Sequence, residues 1–228
     1  MSAHAHNPAV LHHFADAEQQ KESATLGMWL FLATEVLLFA GLFLVYTLFR
    51  WKVPYVWVKE SYLLGITLGG INTAVLICSS LTMALGVHAA QEGKKKALIG
   101  WLLATMLLGA TFLGVKAIEY HEHWEHHKVP GLNFTYTVPY DNAHPYKVPE
   151  QQVFHFLYFC MTGIHGLHMV AGLSILTVIA IMAYRDKFST TYYTPVEMAG
   201  LYWHFVDIVW VFLFPLLYLT GNHYTGGH

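Results

Sequence analysis

Five stretches of this sequence, 24–49, 62–88, 97–119, 153–184 and 196–220, are long and apolar enough to cross a bilayer. A bilayer's hydrocarbon core takes about 20 helical residues. In lipid, only helices and closed barrels satisfy every backbone amide. Unbroken runs of this length read as helices rather than as alternating strands of about ten residues. The expected fold is therefore all-α, a polytopic membrane bundle of five transmembrane helices. Composition agrees: 55% of the 228 residues are hydrophobic and 11% are charged, against about 25% charged in a soluble domain. A formal net charge of −2 gives no basic footprint for nucleic acid.

One membrane domain is expected over 24–220, with a polar segment 1–23 before it and a tail 221–228 after it. The first run is longer than a signal-peptide core, so it reads as an uncleaved anchor. The connections are short except for 120–152, which carries His and Pro residues and reads as an outside loop. Basic residues in short loops mark the cytoplasmic side. Lys21, Lys94, Lys95, Lys96, Arg185 and Lys187 fall on the amino-terminal side of the bundle; Arg50, Lys52, Lys59, Lys128 and Lys147 fall on the other. The compact KKK run places the amino terminus in the cytoplasm and the carboxyl terminus outside. Cys78 and Cys160 lie in apolar runs and suggest neither a disulfide framework nor a zinc pair.

Ionisable groups in such runs cost roughly 2.5–3.5 kcal/mol each on insertion scales, so they mark function or pairing. Glu35 sits in WLFLATEVLLFAGLF, near the middle of the first run. It can relay a proton, meet a lipid headgroup, or bond a neighbouring helix. Gly65 and Gly69 form a small-residue pattern that permits close helix approach, and Asn72 and Thr73 follow as interhelical bonding groups. Lys116 and Glu119 are three apart and share a helix face; Lys116 is expected to snorkel to the headgroups. His165 and His168 in TGIHGLH share a face, and His204 and Asp207 in YWHFVDIVW repeat that spacing. A carboxylate can fix a histidine's tautomer, as a redox metal or a proton path requires. An interhelical polar network uses the same residues.

HEHWEHH at 121–127 is the most metal-like string, with His123, His126 and His127 in the H-x-x-H-H spacing of membrane di-iron desaturases and hydroxylases. Imidazole suits iron, zinc and copper. No second such box occurs in the chain, and the expected topology puts this one outside, as a solvated loop.

Taken in order, WLFLATEVLLFAGLF, INTAVLICSS, AIEYHEH, TGIHGLHMVAGL and YWHFVDIVWVFLFPLLY resemble subunit III of the haem-copper cytochrome c oxidases. The resemblance covers about residues 26 to 220. It implies an accessory subunit without haem or copper of its own. The oxygen-reducing centre would lie in subunit I and the copper that receives electrons in subunit II. Subunit III would pack on subunit I, hold phospholipid, and sustain proton uptake. The family's carbodiimide-reactive carboxylate matches Glu35; Asn72, Thr73, Glu119, His165, His168, His204 and Asp207 match further positions. The mitochondrial form has two more spans, which help to form a lipid-filled cleft. Their absence here points to the five-span bacterial form in a plasma membrane. The loop 120–152 departs from the family pattern and suits a partner contact.

Close variants are subunit III of a quinol oxidase and the related small subunit of nitric oxide reductases. The alternative of another class is a membrane di-iron hydroxylase or desaturase built on His123, His126 and His127. A transporter using Glu35 and Asp207 ranks last, for want of an inverted repeat.

Overall fold

The computed structural model describes residue 14 and residues 16–62, 64–131, 134 and 148–219. The described residues are helical: α1 (Ala17–Lys52), α2 (Pro54–Tyr62), α3 (Ile66–Gln91), α4 (Lys95–Glu125), α5 (Val148–Tyr184) and α6 (Thr194–Phe214), the last continuing as a π-helical turn, Pro215–Leu219. Among the described residues five helices are long and apolar enough to cross a membrane, as the sequence predicts. Each overlaps one expected run. The short helix α2 was not anticipated and occupies a connection. Pro139, Pro145 and Lys147 of the expected outside loop, and the tail 221–228, lie outside the described residues.

Local chemistry sets the helix ends. The Asp16 carboxylate caps α1 by accepting from Gln19 N at 2.8 Å. Arg50 and Lys52 sit in its last turn, where the dipole favours cations. Val53 then precedes Pro54, which disfavours further α conformation. α3 ends in a left-handed residue, Gly93 (φ 69°). There Lys94 N bonds Ala89 O and Gly93 N bonds Ala90 O, at 2.9 and 3.1 Å, closing the chain back on its last carbonyls. α6 carries Pro195 in its first turn, where proline is favoured. Its far end meets Pro215, which has no N–H for the ladder, and the helix widens there into the π turn.

α6 is the centre of the bundle, with 56% of its apolar span buried, and α1 is the periphery, with 11%. α6 packs against α1, α3 and α5, α4 fills between α3 and α5, and α2 caps one end against α5 and the π turn. Glycines let Trp203 of α6 sink among its neighbours. A Cβ on Gly109 would lie 2.7 Å from Trp203 Cη2, and one on Gly172 would lie 3.0 Å from Cε3. The expected small-residue pair divides: Gly69 receives the Phe214 and Tyr218 rings, whereas Gly65 is the left-handed residue before α3, with open space at its Cβ.

Candidate functional site

Among the described residues, the expected polar groups of the spans fall into three interhelical clusters. The first joins α1 to α5. Glu35 Oε2 and His168 Nε2 are 2.9 Å apart, and each side chain is 17% exposed. His168 Nδ1 lies 2.8 Å from Ile164 O. A carbonyl only accepts, so Nδ1 carries a proton. One further proton is then shared between Nε2 and the carboxyl. The pair is neutral as a whole, whichever atom holds that proton. Tyr202 of α6 donates to His168 O at 3.0 Å, and the Phe39 ring packs 5.4 Å from the imidazole.

The second cluster joins α3 to α6. His204 Nδ1 meets Ser80 Oγ at 2.7 Å, and Asp207 Oδ2 lies 3.4 Å from Ser79 Oγ. Trp203 Nε1 donates to the same Ser79 hydroxyl at 3.0 Å. Asp207 is buried, and among the described residues its Oδ1 has no hydrogen-bond partner. Nearby, Thr82 and Thr105 share a hydroxyl bond of 2.8 Å between α3 and α4.

The third cluster joins α4, α5 and the π turn. Lys116 Nζ donates to Glu119 Oε2 at 2.8 Å and to Tyr218 OH at 2.6 Å, and it stands 4.5 Å from the centre of the Trp210 ring. Glu119 Oε1 accepts from the hydroxyls of both Tyr158 and Tyr218. Every polar atom of the carboxylate is thereby met by a donor, which is what a buried charge requires. Tyr120 OH pairs with Thr162 Oγ1 at 2.6 Å beside it.

The structure redraws the expected pairs. His165 and His168 diverge: Nε2 of His165 donates to Val206 O of α6 at 3.2 Å, while His168 turns to Glu35. His204 and Asp207 reach adjacent serines rather than each other. The expected histidine–carboxylate partnership is found at His168 instead, whose Nε2 faces Glu35 of α1 while the Ile164 carbonyl fixes the proton on Nδ1. Lys116 does not snorkel. At 8% exposure it is inside, because Glu119, Tyr218 and the Trp210 face together replace its water. Asn72 Nδ2 reaches Phe112 O at 3.4 Å, and Thr73 Oγ1 accepts from Trp210 Nε1 at 3.1 Å.

HEHWEHH is not a solvated loop throughout, because α4 runs on to Glu125. His123 is buried, its Nδ1 on Glu119 O at 2.8 Å and its ring stacked on Tyr158. His126 and His127 are exposed beyond the helix end. His127 holds the left-handed position (φ 54°) from which Lys128 N bonds back to His123 O. The three imidazoles therefore do not converge. Among the described residues no three or more His, Cys, Asp or Glu side chains gather as a metal would need.

Sequence reasoning missed a further buried group at the α2 end. Glu60 accepts from Gln151 Nε2 at 2.7 Å and lies 3.9 Å from His155 Nε2. Burial pushes its carboxyl above the ordinary value, while the bond from Gln151 and the charges of Lys128 and Lys59 pull it back. Its place in a connecting segment gave no signal of burial. Tyr158, Tyr218, Ser79 and Ser80 were also missed; hydroxyls embedded in apolar runs were the available signal.

Apolar spans knit by buried hydroxyl, imidazole and carboxyl pairs define a multi-pass helical membrane protein. The sequence profile described as Cytochrome c oxidase subunit III matches residues 11–125 and 132–222. The Cytochrome c oxidase subunit 3 of Alkalihalophilus pseudofirmus is 32% identical over 199 residues, which span 86% of this chain and 86% of that one. The Cytochrome bo(3) ubiquinol oxidase subunit 3 of Pseudomonas aeruginosa is 31% identical over 211 residues, 92% of this chain and 91% of its own. The Cytochrome c oxidase subunit 3 of Gallus gallus is 32% identical over 206 residues, 86% of this chain but 69% of its own. The chain belongs to the cytochrome c oxidase subunit III family, whose members serve haem-copper oxidases of the cytochrome c and quinol kinds.

Proposed function

We propose that this chain is the accessory, cofactor-free subunit III of a proton-pumping terminal oxidase in a bacterial plasma membrane. Its amino terminus faces the cytoplasm. It packs on the catalytic subunit I beside subunit II, which hold the haem and copper, holds phospholipid, and supports assembly and proton uptake. The observation that carries this reading is the Glu35–His168 pair, a one-proton acid–imidazole couple near the middle of a span. It lies on α1, the helix the chain buries least. A neutral couple tolerates hydrocarbon depth, yet its proton can move between oxygen and nitrogen. The uncovered side of α1 is where subunit I or lipid would complete the burial. Asn72, Thr73, Glu119, His165, His204 and Asp207 then serve to hold the helices in register around that couple.

Glu35→Gln tests this in the purified complex. The amide keeps the shape and a bond to His168 but removes the shared proton. The variant is expected to keep full haem content and initial oxidase rate while losing sustained turnover or proton uptake. Loss of haem, or unchanged endurance and uptake, would refute the role given to Glu35.

A further inference from the structure

A slot of about 430 Å³ runs between the start of α1, α3 and α6. Its mouth carries one cation and one anion. Lys21 Nζ lies 3.5 Å from Glu197 Oε2, with the two side chains 48% and 20% exposed, and 5.3 Å from the centre of the Tyr193 ring. Gln91 Nε2 donates to the other Glu197 oxygen at 3.2 Å, so the carboxylate is fixed between α3 and α6. Below the mouth the walls are Ala84, Val87 and Leu201. His204 also lines the slot. It stands seven residues beyond Glu197 on α6, about 10 Å along the axis. Its Nδ1 is taken by Ser80, and its Nε2 has no hydrogen-bond partner among the described residues.

A mouth of both signs above an apolar slot matches an amphiphile whose headgroup also carries both signs. A primary ammonium donates to Glu197, a phosphate accepts from Lys21, and hydrocarbon fills the space between Ala84, Val87 and Leu201. An anionic headgroup without an ammonium meets Glu197 as a like charge. A quaternary ammonium has no N–H to donate. We propose that this slot binds one phospholipid of the phosphatidylethanolamine type, with its ammonium on Glu197 and its phosphate on Lys21. His204 offers a ring nitrogen to the glycerol ester region. The proposal rests on the lipid-holding part of the function above and adds a place and a headgroup to it.

The test is lipid titration of the delipidated, detergent-purified complex, read by native mass spectrometry. The probes are phosphatidylethanolamine, phosphatidylglycerol and phosphatidylcholine with the same acyl chains. The ethanolamine lipid is expected to bind at least about tenfold more tightly than the other two, since neither of them can make the charged hydrogen bond to Glu197. Glu197→Gln removes that preference from both sides: it weakens ethanolamine-lipid binding by removing the anion the ammonium meets, and strengthens phosphatidylglycerol binding by removing the like charge. Ala84→Trp, which fills the slot from an exposed position, abolishes the tight site in a complex of unchanged haem spectrum and subunit content. It decides the matter if Glu197→Gln fails to assemble. Equal affinity for the three headgroups, or tight binding that survives Ala84→Trp, overturns the site and leaves the broader lipid reading standing. No measurable binding of any of the three lipids to an intact complex overturns both.

Discussion

Lys116 is held by a carboxylate, a phenol and an indole face, and the carboxylate is the partner that its loss would strand. Breaking a buried ion pair from one side costs about 3–5 kcal/mol, whereas removing both charges costs far less. Lys116→Met should therefore lower the thermal midpoint of the complex strongly. Adding Glu119→Gln to it should recover part of the loss, since no unpaired charge then remains. A double variant no more stable than Lys116→Met would show that packing, rather than the stranded charge, sets the cost. The sequence exposed Lys116 and Glu119 as a pair through their spacing. It did not reveal their burial, because that depends on Tyr218, about a hundred residues away in sequence and aimed by a π turn. The same holds for His168: its carboxyl partner, Glu35, lies on another helix, and no spacing rule reaches across that separation. Spacing within one helix reveals a shared face; it does not say which neighbour the face meets.

At the scale of elements, helix contacts here are set as much by missing side chains as by large ones. Trp203 is pinned by its bond to Ser79 and wedged between Gly109 and Gly172. Gly109→Ala should destabilise by about 1–3 kcal/mol, because the indole has nowhere to retreat. Gly114→Ala on the same helix, where a Cβ meets nothing, should be neutral or stabilising by up to about 1 kcal/mol from helix propensity. Thermal midpoints of the two variants check the contrast, and equal effects would contradict it. The docking of α2 offers a pH test. The Glu60 carboxyl is held above its ordinary value by burial, so the folded state binds more protons than the unfolded one. Stability from this group is full below the ordinary carboxylate range and is lost as pH rises through the raised value. Glu60→Gln does not titrate there, so its advantage over the parent should grow with pH across that window. A difference independent of pH, measured by denaturation at several pH values, would contradict the assignment. The five spans were legible because each is a stretch of twenty or more residues that is predominantly apolar, broken only by isolated polar groups. α2 was not, because nine residues rich in aromatics and charge read as a connection, and its ordering comes from contacts with α5 and the π turn.

At the scale of the whole molecule, the described helices place α6 at the centre against α1, α3 and α5, with α4 filling between α3 and α5 and α1 the least buried. That asymmetry suits a subunit completed by others. The helices close around hydroxyl, imidazole and carboxyl pairs, while the least buried helix carries the acid–imidazole couple. Membership of the subunit III family was legible in the sequence from polar residues at fixed places in apolar runs, and the profile match over most of the chain agrees. Headgroup recognition at the α1–α3–α6 slot was not legible, because Lys21, Gln91 and Glu197 lie far apart in sequence. The central claim is that this chain serves an oxidase without holding a redox centre itself. The most direct measurement is a reduced-minus-oxidised spectrum with metal analysis, taken on the complex purified through a tag on this chain and again after the chain is dissociated. The account predicts haem bands and copper in the complex, both remaining with the partner subunits. Haem, iron or copper that stays with the isolated chain would contradict it.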